Sequence, residues 1–115
     1  MNEEENDRIR AEAFAKKYRE GQLNDALVLD VREEEEWQVY HLKEALLIPL
    51  QRLPFELGRL SREKNLYVLC AHGVRSVHAV HLLYGQGFQR VVNVDGGLAE
   101  VSLYLEEGDL SSGRN

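Results

Sequence analysis

The sequence of 115 residues contains one cysteine and no long hydrophobic run. A single thiol cannot form an internal disulfide, which suits a reducing compartment. Its uninterrupted apolar runs extend over a few residues, far short of the roughly 20 that a membrane-spanning helix needs. The first seven residues are acidic, whereas a secretory signal is basic and then hydrophobic. We therefore expect a cytoplasmic protein that does not associate with membranes.

Basic residues are also scarce, with 14 Lys and Arg against 20 Asp and Glu and a formal net charge of -6. This balance argues against a general nucleic-acid-binding or anionic-membrane-binding protein, because both partners select basic surfaces. The hydrophobic content of 43% and charged content of 30% are typical of a globular protein. With no internal repeat or low-complexity linker, residues 1–115 are predicted to form one domain, with an ordered core over about 8–108 and a flexible tail over 109–115.

Strand and helix patterns alternate along the whole chain. The predicted helices cover 11–20, 54–60, 76–84 and 98–106, and another begins within 33–36; the predicted strands cover 26–31, 46–50, 66–69 and 90–95, with a short edge strand within 7–10. Apolar runs separated by amphipathic helices are typical of parallel sheets covered on both faces. The prediction is a three-layer α/β/α fold with a central, mostly parallel sheet of about five strands.

The single cysteine lies in the most informative stretch of the sequence. The β-prone run Leu66–Leu69 ends at Cys70, a glycine-containing loop follows, and a helical pattern begins at Ser76. A loop that leads into a helix N-terminus turns several peptide N–H groups toward one point and adds the positive end of the helix dipole. With His72 and Arg75 nearby, the thiol should ionise readily. Cys70 is therefore a candidate nucleophile; the alternative is a small buried hydrophobic residue.

Other polar residues also lie near strand ends. Asp30 and Arg32 close the strand over 26–31, where the active-site loops of open α/β sheets gather. They have either a functional role or a structural one, in which Asp30 binds loop backbone or an arginine and fixes the loop geometry. The carboxylates of Glu33–Glu36 are consecutive, so they spread around a helix and predict a solvated face rather than an acid/base pair or a metal site.

Histidines raise the question of a metal site. His78 and His81 share one face of the helix that follows the cysteine loop, and His72 lies in the loop itself. Zinc sites use histidines in this way, but the sequence has no second cysteine and no HExxH or CxxC pattern. No metal is therefore predicted.

Four motifs together resemble those of the rhodanese-like domains. Cys70–Ser76 resembles the active-site loop of that family, and Ala26–Glu33 is similar to its strand ending in Asp-Val-Arg. His41–Pro49 matches its Gly-His-Ile-x-Gly-Ala-x-x-Ile-Pro segment, and Gly87–Gly97 matches its closing Gly-Phe … Gly-Gly run. These motifs occur in the family's order and extend the resemblance over Ile9–Leu105.

The resemblance implies a rhodanese-type sulfurtransferase of the thiosulfate sulfurtransferase kind. Its catalytic residue is Cys70, with no cofactor beyond a covalent cysteine persulfide. The residues expected to bind the substrate, mainly through their backbone, are Ala71, His72, Gly73, Val74 and Arg75, with Ser76, Asp30 and Arg32 in supporting positions. The side chain of Arg75 either faces the anion or turns back to pair with a carboxylate. We expect the thiol to be exposed in its ionised form at the floor of the loop.

The expected reaction is a two-step covalent transfer. Cys70 takes the outer sulfur of thiosulfate or of a persulfide donor and passes it to cyanide, a small thiol or a protein acceptor. Four residues separate Cys70 from Arg75, whereas cysteine phosphatases and the phosphatase and arsenate-reductase relatives have five, so the loop suits one sulfur better than a phosphate. The alternatives are a protein-binding or sulfur-carrier module without turnover and, less favoured, a cysteine-dependent phosphatase or arsenate reductase.

Some residues depart from the family pattern. Many members that use thiosulfate carry a basic residue directly after the cysteine, and here that residue is the neutral Ala71. Tyr40 and Glu44 replace the two glycines of the His41–Pro49 segment, away from the cysteine loop. The departure at Ala71 favours a protein or low-molecular-weight persulfide over thiosulfate as the donor.

Overall fold

The computed structural model describes residues 4–5 and 7–113. Its strands are β1 (Glu4–Glu5), β2 (Arg8–Ile9), β3 (Leu27–Asp30), β4 (His41–Leu42), β5 (Leu46–Leu47), β6 (Leu66–Leu69), β7 (Val91–Val94) and β8 (Leu110–Ser111). Its α-helices are α1 (Ala11–Arg19), α2 (Glu34–Val39), α3 (Val74–Gly85) and α4 (Gly97–Val101). Short 3₁₀ turns cover Leu53–Phe55, Leu57–Arg59, Ser102–Tyr104 and Glu107–Asp109.

The main sheet has the strand order β1-β2-β7-β6-β3-β5. The five strands from β2 to β5 in this order all pair in parallel, and β1 adds an antiparallel edge. In the ladder, Asp30 pairs with Leu69, and Val68 pairs with Asn93. The residues that follow β3, β6 and β7 therefore lie along one edge, as the carboxyl ends of parallel strands must.

Each face of the sheet is covered by its own hydrophobic cluster, because side chains alternate along every strand. On one face, Val28, Tyr67 and Val92 pack with residues of α1 and α4. On the other, the cluster includes Cys70 and residues of β3, β6, β7, α3 and the segment over 53–60, namely Leu29, Val68, Val91, Ala79, Val80, Leu83, Leu53 and Leu60. The predicted three-layer fold with a central, mostly parallel sheet is confirmed.

The C-terminal segment differs from the prediction. Leu110–Ser111 forms β8, which pairs antiparallel with β4, so the expectation of a flexible tail from residue 109 is wrong for these two residues. Leu110 packs against the first cluster, and its apolar contact supplies the stability that a polar tail would lack. Residues 114–115 lie outside the described part. Within that part, no helix is both long and apolar enough to cross a membrane.

Candidate active site

The loop after β6 places the thiol at the N-terminus of α3. Helix α3 begins at Val74, two residues before the predicted start, so Arg75 lies in its first turn. Gly73 is the N-cap residue with φ of +95°, a backbone conformation that L side chains rarely adopt. A Cβ at this position would also lie 3.0 Å from the backbone nitrogen of Gly96. Gly73 is therefore required by both its backbone angle and its close packing.

Several hydrogen-bond donors converge on the sulfur of Cys70. The peptide N–H of Gly73 donates to Sγ over 3.1 Å, and that of Ser76 donates over 3.3 Å. The hydroxyl of Ser76 lies 3.4 Å from Sγ, where it can donate to a thiolate or accept from a thiol. Ser76 is fully buried, so its side chain is held at this position. The loop and the first turn of α3 thus form a small anion site around one sulfur.

The pKa of Cys70 is lowered from its ordinary value of 9.0. Burial is the largest single influence and raises this pKa, but it is outweighed by hydrogen bonds from the Ser76 hydroxyl and from the backbone of Ser76, Gly73 and His72. Hydrogen bonds to a charged form favour that form, and the helix N-terminus acts in the same direction. The geometry therefore favours the thiolate, which is the nucleophilic state.

The thiol is not open to solvent. Cys70 has an exposed fraction of 0% and belongs to the hydrophobic cluster beneath α3, so the expectation of an exposed side chain is wrong. The loop encloses the sulfur, and the peptide N–H groups of Gly73 and Ser76 point inward, toward Sγ. Burial here is different from that of a structural cysteine, since the neighbouring N–H groups are aimed at Sγ rather than away from it.

Arg75 pairs with a carboxylate of α2. Its Nη1 and Nη2 donate to Oε1 and Oε2 of Glu36 over 2.7 and 2.8 Å, a two-point contact between side chains that are each 34% exposed. Bidentate contacts of this kind fix both the distance and the orientation of a guanidinium group. Of the two orientations that the sequence left open, the structure has the one in which Arg75 turns toward a carboxylate.

Glu36 is the residue of this site that the sequence interpretation missed. The hydrogen bond from Arg75 lowers its pKa to about 2, although partial burial acts in the opposite direction. Its Oε1 also accepts the backbone N–H of Glu33 over 2.9 Å, which completes a capping box at the start of α2. The prediction of a solvated carboxylate face therefore does not hold for Glu36. Because Arg75 lies 39 positions further along the chain, no local pattern signals the pair.

Asp30 and Arg32 form a buried ion pair beside the same edge of the sheet. Their side chains are 0% and 3% exposed, and Nη2 of Arg32 donates to Oδ2 of Asp30 over 2.9 Å. Arg32 also donates to the backbone carbonyl of Tyr40 over 2.8 Å and lies over the Tyr40 ring. The pair thus connects the end of β3 to the end of α2, which corresponds to the structural interpretation of these residues.

The closing glycines hold the other side of the loop. The backbone N–H of Leu98 donates to the carbonyl of Cys70 over 2.8 Å, and that of Ala99 donates to the carbonyl of Ala71 over 3.0 Å. Gly97 has φ of +66°, and a Cβ there would lie 2.5 Å from the carbonyl group of Ala71. The start of α4 can therefore approach the cysteine loop only because residue 97 lacks a side chain.

A cleft of about 420 Å³ lies beside the loop. Its lining includes His72, Gly73 and Val74 of the loop and first turn, together with Val77 and His81 of α3. His72 and Val74 are exposed, the latter by 67%, so the outer rim of the loop is partly apolar. Among the residues that the structure describes, no cluster of three histidine, cysteine or acidic side chains could hold a metal ion.

The fold and the loop define a class of protein: a parallel α/β domain with one thiol in an amide-lined loop between a central strand and a helix. The family model of the rhodanese-like domain matches residues 11–103 of this chain. The chain therefore belongs to the rhodanese-like domain family, as the sequence motifs predicted.

Three curated relatives are identical to this chain at about a third of the aligned positions. A rhodanese-like/PpiC domain-containing protein 12 of Arabidopsis thaliana is 33% identical over 73% of this chain and 29% of its own length. The putative sulfur carrier protein YrkF of Bacillus subtilis is 34% identical over 64% of this chain and 40% of its own length. A sulfurtransferase of Allochromatium vinosum is 30% identical over 64% of this chain and 69% of its own length. The chain thus spans less than half the length of the first two relatives.

Solved structures agree with this assignment over most of the chain. A rhodanese-like domain protein of Staphylococcus aureus has a TM-score of 0.77 at 29% identity, covering 94% of this chain and 99% of that one. A rhodanese-related protein of Thermoplasma volcanium has a TM-score of 0.73 at 33% identity, covering 84% and 91% respectively. The family-model match over residues 11–103 includes α1 to α4, and with them the whole cysteine loop.

Proposed function

We propose that this domain is a sulfurtransferase that carries a sulfane sulfur on Cys70. The observation that supports it is the convergence of two peptide N–H groups and one hydroxyl on Sγ. Donors arranged in this way stabilise a negative charge where it develops, as an oxyanion hole does. Family membership supports sulfurtransferase chemistry in general, and the donor and the acceptor are part of the proposal.

In the first step, the Cys70 thiolate attacks the outer sulfur of the donor. With thiosulfate, a bond forms between the two sulfurs, the sulfur–sulfur bond of the donor breaks, and its electron pair leaves with sulfite. With a protonated persulfide R–S–SH, the same attack releases the thiolate R–S⁻ and leaves the transferred sulfur protonated. In both cases charge is conserved and Cys70 becomes a persulfide.

In the second step, an acceptor attacks the outer sulfur of the Cys70 persulfide. Cyanide would leave as thiocyanate, and a thiolate of a small molecule or protein would leave as a persulfide. The electron pair of the broken bond returns to Sγ, where the N–H groups of Gly73 and Ser76 stabilise the regenerated thiolate. The reaction needs no cofactor beyond the covalent intermediate.

We assign the rest of the loop to positioning. The backbone of Ala71, His72, Gly73, Val74 and Arg75 would hold the transferred sulfur, and the cleft beside His72 and Val74 would admit the donor and the acceptor. The proposed compartment is the cytoplasm, because a reducing environment keeps the single thiol available.

The decisive experiment detects the intermediate. Wild-type protein and Cys70→Ser are incubated with thiosulfate or a small persulfide, and intact-protein mass spectrometry measures the mass that each chain has gained. One added sulfur atom on the wild type, absent from Cys70→Ser and released as thiocyanate by cyanide, is the expected result. A chain that takes up no sulfur from either donor would refute the proposal.

A second candidate function is a sulfur-carrier module that holds the persulfide without turnover. The relative named as a putative sulfur carrier supports it, as does the enclosure of Sγ, which restricts access of an acceptor. Persulfide that forms on Cys70 and persists with cyanide and small thiols, but is removed by a protein acceptor, would favour this function. Phosphate release from an aryl phosphate by the wild type alone would instead indicate a phosphatase, which the short loop disfavours.

A further inference from the structure

Two arginines near the cysteine loop are each paired with a carboxylate. Arg75, in the first turn of α3, faces Glu36 through two hydrogen bonds of 2.7 and 2.8 Å. Arg32, which also acts electrostatically on Glu36, is itself paired with Asp30. A guanidinium group whose carboxylate partner is in direct contact contributes little net field to its surroundings.

Arg75 directly precedes Ser76, whose N–H donates to Sγ over 3.3 Å, so its positive charge lies beside the anion site. The negative charges of Glu36, Cys70 and Glu33 all raise the pKa of Arg75, with Glu36 as the main cause, so the guanidinium and the thiolate interact. Without the charge of Glu36, much more of the positive charge of Arg75 would act on the anion site. The groups that reach Sγ itself are peptide and hydroxyl dipoles, which carry no net charge.

We infer that Glu36 is a positioning residue that selects the donor by its charge, holding Arg75 in a neutral pair so that the loop disfavours dianionic thiosulfate relative to donors of lower charge. This inference rests on the proposed sulfur transfer. It assigns a functional consequence to a carboxylate on α2 that does not contact the sulfur.

The physical reason is the charge of the encounter complex. A thiolate and thiosulfate bring together charges of -1 and -2, and the dipoles of the loop must stabilise them without a net cation. Methanethiosulfonate presents the same outer sulfur on a similar tetrahedral group, but a methyl group replaces one charged oxygen. Its reaction with the Cys70 thiolate gives the anionic Cys70 persulfide and methanesulfinate, so its encounter complex carries one negative charge less.

The experiment compares these two donors as a ratio. For wild type, Glu36→Gln and Glu35→Gln, kcat/KM is measured with thiosulfate and with methanethiosulfonate at low ionic strength. Gln at position 36 keeps an oxygen for the Glu33 N–H and removes only the charge, while Glu35 is an exposed carboxylate on the same helix. We expect Glu36→Gln to raise the thiosulfate-to-methanethiosulfonate ratio roughly tenfold, mainly through a lower KM for thiosulfate, and Glu35→Gln to change it less than about twofold.

A second variant changes the charge in the opposite direction. Arg75→Gln leaves Glu36 unneutralised, so the ratio should fall below that of the wild type. A measurement without any substitution complements it: in the wild type, added salt should raise kcat/KM for thiosulfate more than for methanethiosulfonate, because salt screens repulsion. This salt dependence applies even if a variant fails to fold.

Other outcomes overturn the inference. An unchanged ratio in Glu36→Gln, or an equal loss with both donors, would assign Glu36 a structural role only. A decrease of thiosulfate turnover with salt in the wild type would show that a net positive charge already attracts the donor. Failure of the proposed function itself would be distinguishable from these outcomes, since wild-type protein would then form no persulfide with either donor.

Discussion

The hydroxyl of Ser76 gives the sharpest test of how the fold ionises the thiol. It lies 3.4 Å from Sγ of Cys70, and among the hydrogen bonds to this sulfur it has the largest lowering effect on the pKa of Cys70. Ser76→Ala removes that oxygen from a fully buried position while keeping the backbone N–H, which also donates to Sγ. The substitution therefore isolates one donor of the anion site.

The expected magnitude follows from the strength of a hydrogen bond to a charged group. Such a bond contributes about 1.5–3 kcal/mol, and the neutral thiol retains part of this by donating to the same hydroxyl. A net loss of about 1.4 kcal/mol for the thiolate corresponds to a rise of about one unit in the pKa of Cys70. Below that pKa, the fraction of reactive thiolate then falls by up to about tenfold.

The assay follows alkylation of Cys70 by iodoacetamide as a function of pH, with ultraviolet absorbance of the thiolate as an independent titration. Ser102→Ala serves as the control, because the Ser102 hydroxyl donates to the backbone of Ala99 rather than to sulfur. The midpoint should move upward only in Ser76→Ala. If both variants titrate like the wild type, the hydroxyl does not stabilise the thiolate, and the account of the anion site is wrong.

Three further predictions concern stability. Because the fold lowers the pKa of Cys70 from its ordinary value of 9.0, its stabilisation is fully present above that pH and is lost as pH falls through the folded value. The free energy of unfolding of wild type relative to Cys70→Ser should therefore increase as pH rises toward 9. Gly97→Ala, which places a Cβ on a left-handed backbone and against the cysteine loop, should lose about 3 kcal/mol or more in urea denaturation, whereas Gly108→Ala, with open space around it, should lose far less. Asp30→Asn leaves the buried guanidinium of Arg32 without its counter-charge and should cost about 3–5 kcal/mol in the same assay.

Each of these has a clear contrary result. A pH-independent difference between wild type and Cys70→Ser would mean that folding does not favour the thiolate. Equal losses for the two glycine variants would remove the argument from close packing at Gly97. An Asp30→Asn protein as stable as the wild type would show that the ion pair does not support the end of β3.

The architecture could be predicted because its signal is local. The run Leu66–Leu69 is apolar at every position, and so is most of Leu27–Asp30, which is how a strand buried on both faces appears in a sequence. The boundaries differ by a few residues: α3 starts at Val74 rather than Ser76, because Gly73 provides the left-handed N-cap. The strand Leu110–Ser111 was missed because two residues without periodicity carry no local signal, and only their pairing with β4 orders them.

In the candidate site, too, the local sequence predicts some features, and others depend on contacts between distant residues. The position of Cys70 before a helix N-terminus was visible in the order strand, loop, helix, and so was the group of residues that surrounds it. The partner of Arg75 was not visible, since Glu36 belongs to a run of four similar glutamates and only one of them reaches the guanidinium. The enclosure of the thiol was also missed, because a pattern does not show how tightly a loop closes.

The sequence by itself determined the alternation of strands and helices, the place of the single cysteine before a helix and the family of the chain, because each depends on neighbouring residues. Only the tertiary structure decided that Sγ is buried yet surrounded by inward-pointing donors, and that Arg75 is neutralised by Glu36. The physical reason is that burial and charge pairing are set by groups that are distant along the chain and meet only when the sheet and helices pack.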